Sequence, residues 1–235
     1  PTRRSSDLSR YVVANTLFLA SPLQICGAII KLTKTGELPY DIGVSSLEFL
    51  VGYVIASVIG IAIGVGMAAN ATIKQMTQPW VSGLYATPII ALAPLFILWF
   101  GIGIWSKIVV VASLVVFPVT INTEAGLQTV SARLIEMLRS FNATPGQVFW
   151  KLSLPSAMPF VLAGLRIGIG RGLIGVVVGE LFGSRAGLGR LIDQSAESFN
   201  MPDLFASVVI LAVAGIVLTA GFAWLENKLV PWTRD

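Results

Sequence analysis

The sequence contains no histidine and a single cysteine, Cys26. It therefore lacks the side chain most often used as general base and metal ligand. One cysteine permits neither an intrachain disulfide nor a cysteine cluster for zinc or iron–sulfur. Charge is scarce too: Asp, Glu, Lys and Arg make up 12% of 235 residues, about half the share of an ordinary soluble domain. The net charge of +4 is scattered, with no Lys/Arg run interleaved with aromatics, so nothing marks a nucleic-acid surface. A water-soluble enzyme, a disordered chain and a collagen-like repeat are all excluded by this balance.

What the sequence has in quantity is apolar length. Hydrophobic residues reach 55% and the mean hydropathy is +0.82. Crossing about 30 Å of hydrocarbon takes roughly 20 helical residues. Charge-free windows at 49–73, 75–106, 108–123 and 204–225 meet or approach that length, and 160–182 is apolar apart from Arg166, Arg171 and Glu180. Five spans result, near 45–68, 80–99, 105–122, 160–182 and 204–226, in an all-α membrane protein.

The N-terminal region reads differently. Residues 1–8 share nothing with the rest of the chain and look like translated adapter sequence, so 1–10 are set apart as an extraneous or disordered end. Residues 11–30 are uncharged, yet from Pro22 onward the polar positions Gln24, Gly27, Lys31 and Lys34 recur every three or four residues. That spacing, with Ser21 as N-cap and Pro22 at the first position, predicts an amphipathic helix lying in the interface; a sixth span is the alternative.

Two spans carry small residues at helical spacing. Ala56, Gly60, Gly64 and Ala68 recur every four residues, as do Gly164, Gly168 and Gly172, followed by Gly175, Gly179 and Gly183. Such stripes let helix backbones approach closely in lipid. Pro88 and Pro94 interrupt the 80–99 span, each removing an intrahelical hydrogen bond. Freed carbonyls at membrane depth are tolerated where they are buried in protein or line a cavity, so a pathway-lining helix and a merely kinked one both fit. Arg171 and Glu180 lie within a span and are further pathway candidates, since an ionisable residue there faces the bundle interior or water. Glu180 reads as a structural hydrogen-bond acceptor or gate element ahead of a substrate ligand, and Arg171 either favours an anion in the pathway or snorkels or pairs at a dimer interface. Arg166 and Glu180 are fourteen positions apart, about 21 Å at helical rise, and should not pair.

The longest polar interruption is 131–159. Its first helix, about 132–141, places Leu134, Ile135, Leu138 and Phe141 on one face and Arg133, Glu136 and Arg139 elsewhere. Asn142 comes next, where a helix end favours a left-handed residue. Thr144 should cap a second helix with Pro145 at its first position, running to about Ser153 and stopped by Pro155. A protruding helix–turn–helix suits docking into a groove on a soluble partner. Orientation is not decided by charge. With this loop inside, Lys74, Arg133, Arg139, Lys151, Lys228 and Arg234 are balanced outside by Arg10, Lys31, Lys34, Lys107, Arg185 and Arg190.

This loop resembles the EAA loop of ABC importer permeases, whose pattern is Glu-Ala-Ala, three residues, Gly, nine residues, Ile-x-Leu-Pro. Glu136, Leu154 and Pro155 match at the right spacing and Leu152 stands for the isoleucine. Met137 and Leu138 replace the alanines and Asn142, followed by Ala143, replaces the glycine. Residues 86–103 resemble the third-helix signature of the nitrate/sulfonate/taurine-type permeases, as do 162–166, 179–181 and 187–189. The resemblance extends over about 16–232 and implies a type I importer transmembrane domain, a single permease domain over 11–235. The family has six helices, so the first would precede Thr16.

The resemblance also implies how such a chain works. Two permease copies form the pathway, and two cytoplasmic ATPase subunits each receive one EAA loop as a coupling helix, to which Glu136, Arg139, Asn142, Ala143, Leu152, Leu154 and Pro155 would belong. An extracytoplasmic binding protein delivers the solute. ATP and magnesium would sit on the partner ATPase and no cofactor on this chain, which has no phosphate-binding Gly-x-x-x-x-Gly-Lys-Ser/Thr loop. The loop would be cytoplasmic and residues 15–40 and 184–203 external, in a bacterial inner membrane. The solute would be small and anionic: a sulfonate, taurine, nitrate or bicarbonate. A methionine-type or vitamin-precursor permease is the alternative within transport. A non-transporting scaffold and a membrane enzyme are the competing classes; the lack of histidine and the isolation of Glu180 argue against the enzyme.

Overall fold

In the computed structural model of the protein, residues 20–230 are described, and among them every regular element is helical. The set-apart N-terminal end and the first part of the 11–30 stretch lie outside the described residues. Helix α1 (Pro22–Lys34) opens with a capping box: the Ser21 hydroxyl accepts from the Gln24 backbone N–H, and Gln24 Oε1 accepts from the Ser21 N–H. Pro22 sits in its first turn, where a missing N–H costs nothing. Thirteen residues rise about 20 Å, too short to span.

Among the described residues, four helices are long and apolar enough to cross a membrane: α2 (Glu37–Ala69), α5 (Ile104–Gln128), α8 (Leu154–Leu181) with the turns leading into it, and α10 (Met201–Leu229). Between α2 and α5 lie α3 (Ala71–Ala86), a 3-10 turn (Ile89–Leu92) and α4 (Ala93–Phe100), bent by 84° at the break. The span expected at 80–99, interrupted by Pro88 and Pro94, is a bent pair that begins at Ala71. Of the two prolines, only Pro88 stands at the bend. Pro94 occupies the first turn of α4, where it starts a helix rather than breaking one. The remaining elements are α6 (Ala132–Ser140), α7 (Pro145–Val148), a π-helical turn (Phe149–Ser153) and α9 (Leu188–Glu197).

The core is a cluster of three mutually packed helices, α2, α5 and α8, in which the Tyr53 hydroxyl of α2 donates to the Leu165 carbonyl of α8 at 2.8 Å. The stripe on α2 lies on one side of α5: a Cβ on Gly60 would meet the Val116 carbonyl at 2.8 Å, and one on Gly64 the Thr120 carbonyl at 2.7 Å. The stripe on α8 meets the neighbouring face, with Gly164 against Asn122 and Pro118, Gly168 against Val115 and Tyr53, Gly172 against Phe49 and Val115, Gly175 against Val111 and Gly179 against Lys107. Gly183 lies beyond the end of α8 and is not part of the stripe. Phe49, Ala56, Val111, Val115, Val119, Ile169 and Val176 fill the space between the three helices. In lipid, contacts of this kind hold helices together by close packing rather than by expulsion of water.

Register fixes the topology. Residue numbers on α2 and α5 rise together along their contact, so these helices run parallel; α8 runs antiparallel to both. Parallel neighbours require the chain between them to return to its starting side. The bent pair α3–α4 is therefore a crossing segment, the fifth. One end of the bundle carries α1, α9 and the start of α10, joined by Ala28, Leu32, Leu188, Leu191 and Ala206. The other end carries α6 and α7.

Candidate functional site

The α6–α7 end is built from a short amphipathic helix and a rigid turn. Ile135 is half-buried and lines a cleft with Val65, Ala68 and Leu127, from the last turns of α2 and α5. The other side of α6 is open: Glu136 and Arg139 are exposed, as are Leu134, Met137 and Phe141, the last at 77%. The helix ends in a Schellman arrangement, with the Ala143 N–H donating to the Leu138 carbonyl and the Asn142 N–H to that of Arg139. Asn142 is left-handed at φ +59°, a conformation asparagine tolerates better than most. Thr144 then caps α7 in a box with Gln147. Pro155 does not stop this second helix. The π-helical turn of residues 149–153 carries the chain straight from α7 into α8, and Pro155 sits in the first turn of α8. Leu152, Leu154 and Pro155 are half-buried at this root, Leu154 lining an apolar cleft of about 280 Å³ with Thr123, Ala157 and Leu229. Of the loop residues singled out in sequence, Glu136 and Arg139 are thus outward-facing, and the other five form the turn and its footing.

At the opposite end lies a buried polar cluster. Three successive backbone N–H groups at the start of α9 are received by three side chains. Gly187 donates to Asp41 Oδ1 at 2.7 Å, Leu188 to Ser45 Oγ at 2.9 Å and Gly189 to Glu180 Oε2 at 2.5 Å. The Ser45 hydroxyl in turn donates to Glu180 Oε1 at 2.5 Å. Arg190 closes the rim on Asp41 and Glu37. A helix N-terminus attracts negative charge, and here α2 and α8 supply it from within the chain. Glu48 is buried beside Glu180 and Lys107, with its Oε2 atom unpartnered. The Lys107 ammonium donates to the Gly183 carbonyl at 2.9 Å, just past the end of α8.

Two sequence expectations change here. Glu180 is not isolated, and Lys107 is not an external loop charge: it is 1% exposed, its stem packed along Gly179. The signal for the missed partners was present, because Asp41, Ser45 and Glu48 share one face of α2 at helical spacing. The charged residues in the lower half of the bundle pair as distance demanded: Arg166 with Glu226, not with Glu180, and Lys74 with Glu124 at 2.9 Å. Arg171 is exposed on α8, its guanidinium 5.7 Å from the centre of the Tyr85 ring on α3.

A bundle of crossing helices, one sharply bent, with a rigidly mounted amphipathic helix at one end is the architecture of a membrane permease. Residues 56–235 match the family model for the binding-protein-dependent transport system inner membrane component, and the chain belongs to that family. It is a multi-pass inner-membrane protein and the permease subunit of an ABC importer, not an enzyme. It is 35% identical over 97% of its length to the formylaminopyrimidine transport permease protein ThiX of Halalkalibacterium halodurans, covering 91% of that protein. It is 33% identical to the putative aliphatic sulfonates transport permease protein SsuC of Bacillus subtilis over 95% of this chain and 81% of that one. Identity to the taurine transport system permease protein TauC of Escherichia coli is 29% over 92% of this chain and 80% of that one. Among solved structures, the fold matches a chain of the inward-facing MetNI methionine ABC transporter with a TM-score of 0.70 at 21% identity, over 80% of this chain and 94% of that one.

Proposed function

We propose that residues 11–235 act as one permease domain, that α6 is the coupling helix to a cytoplasmic ABC ATPase dimer, and that two copies of the chain enclose a pathway for a small anionic solute. The observation that carries the coupling role is the open face of α6. Leu134, Met137 and Phe141 stand exposed beside Glu136 and Arg139 on a helix held by a Schellman turn and a capping box. A helix mounted this way transmits a push instead of absorbing it. The π-helical turn continues the same body into α8, so motion at α6 reaches the spans through Leu152, Leu154 and Pro155. ATP and magnesium belong to the partner, and an extracytoplasmic binding protein delivers the solute to the α1–α9 end.

Glu136 is the only carboxylate between Glu124 and Glu180. On the docking face it can accept charge-assisted hydrogen bonds from Arg, Lys or backbone donors of the ATPase. Loss of such a desolvated contact costs roughly 2–5 kcal/mol. Glu136→Ala should therefore reduce ATPase co-purification and solute uptake at least tenfold while leaving membrane insertion intact. Normal uptake with full ATPase retention would sink the assignment.

The anionic class of solute rests on Arg171 and on the relatives named for sulfonates and taurine. A vitamin-precursor solute is the second reading, favoured by the similarity to ThiX. Competition for uptake between taurine and a formylaminopyrimidine separates the two.

A further inference from the structure

Arg171 occupies a position at which a charge needs an explanation. It lies ten residues from the last residue of α8, about 15 Å at helical rise, near the middle of a 30 Å hydrocarbon layer. Ile167, Gly170, Arg171 and Ile174 share one exposed face, at spacings of three and four, on the side of α8 turned away from α5. A guanidinium at this depth is not stable against lipid tails and faces protein or water. No described residue of this chain offers it a carboxylate; its contact is the Tyr85 ring.

Tyr85 marks the second anomaly of the same region. It stands two residues before Thr87, where α3 ends and the 84° bend begins. Backbone that leaves helical geometry at membrane depth needs partners or water. The charged side chain and the broken backbone, on two different helices, thus meet at one place. In a second copy of this chain the carboxylates of the spans are paired or buried within that copy, Glu37 and Asp41 with Arg190 and Asp203 with Lys31 among them. Glu48 and Glu180 are buried in the cluster near α9, Glu124 is held by Lys74 and Glu226 by Arg166.

Building on the permease reading above, we infer that Arg171, backed by Tyr85 at the bend of α3–α4, is an oxyanion-selecting station in a water-filled pathway. It would receive a sulfonate, carboxylate or comparable oxyanion on its planar fork. The guanidinium is permanently charged and matches two oxygens of such a group at once. Cation–π attraction to the Tyr85 ring holds the fork in place without neutralising it, which a carboxylate partner would do.

The test needs no identified solute. In a Cys26→Ser background, cysteines are placed singly at Gly170 and Ile174 in the permease assembled with its ATPase in membrane vesicles. Their reaction rates with the anionic reagent methanethiosulfonate ethylsulfonate and its cationic trimethylammonium counterpart are compared. A unit charge next to residue 170 and one helical turn from residue 174 should favour the anion, and Arg171→Gln should lower the anion-to-cation rate ratio about tenfold while Arg171→Lys keeps it. ATPase co-purification should be unchanged in both variants, which separates failure here from failure of the permease reading. Absence of reaction at both positions with either reagent would place Arg171 in a dry interface and overturn the inference. So would a rate ratio indifferent to Arg171→Gln.

Discussion

At Gly187 two constraints coincide. Its φ of +117° is strained for any residue with a side chain, and a Cβ there would overlap the Glu180 carboxylate. Neither constraint relaxes easily, because Glu180 is held from both sides by Ser45 and Gly189. Gly187→Ala should lower the stability of the purified protein by about 2–4 kcal/mol, combining backbone strain with overpacking. Gly27→Ala is the control: it lies on α1 with nothing within 4 Å of an added Cβ, and should be neutral or slightly stabilising. Thermal unfolding in detergent reads both, and equal melting temperatures would mean that α9 does not need this close approach.

Among the elements, α5 is the keel. It is gripped on adjacent faces by glycine-lined faces of α2 and α8, which share Val111 and Val119, so those glycines serve packing inside one chain. The closest approaches involve backbone carbonyls, which cannot rotate away as a side chain would. Gly64→Leu should force α2 from α5 at Thr120 and Thr123 and abolish recovery of a monodisperse protein, whereas Gly66→Leu, two residues on and facing only Ile73, should be recovered normally. Size-exclusion profiles of the two variants decide the matter; equal recovery would refute the keel. The prolines teach the same lesson about context. Pro94 and Pro155 both sit in first turns, where the ring fits, and only Pro88 accompanies a change of direction.

For the whole molecule, the parallel run of α2 and α5 sets which ends share a side. Helix α1, α9 and the start of α10 lie at one surface, and α6 and α7 at the other. Cys26 on α1 is exposed and is the one cysteine of the chain. A membrane-impermeant maleimide should label it in right-side-out vesicles. A cysteine introduced as Ser140→Cys on α6, with Cys26 replaced by serine, should be labelled only in inside-out vesicles. Labelling of both from the same side would break the five-crossing topology.

Composition and periodicity were enough to determine a multi-pass helical protein, an amphipathic α1 with its Ser21–Pro22 start, a break near Pro88 and an exposed helix at 132–140. Each of these is local: charge-free length, three-to-four spacing and capping chemistry act within a few residues of one another. The tertiary structure alone decided that the two glycine stripes face one shared helix and that Lys107 turns inward to the end of α8. It also decided that Asp41, Ser45, Glu48 and Glu180 form one buried cluster with the start of α9, and that Arg171 meets the bend at Tyr85. These residues are separated by up to 146 positions in the chain, as between Asp41 and Gly187. Helical spacing shows which face a residue occupies but not what that face meets. The partner is chosen by how five crossing segments pack, and that choice depends on the direction in which the bent pair returns the chain.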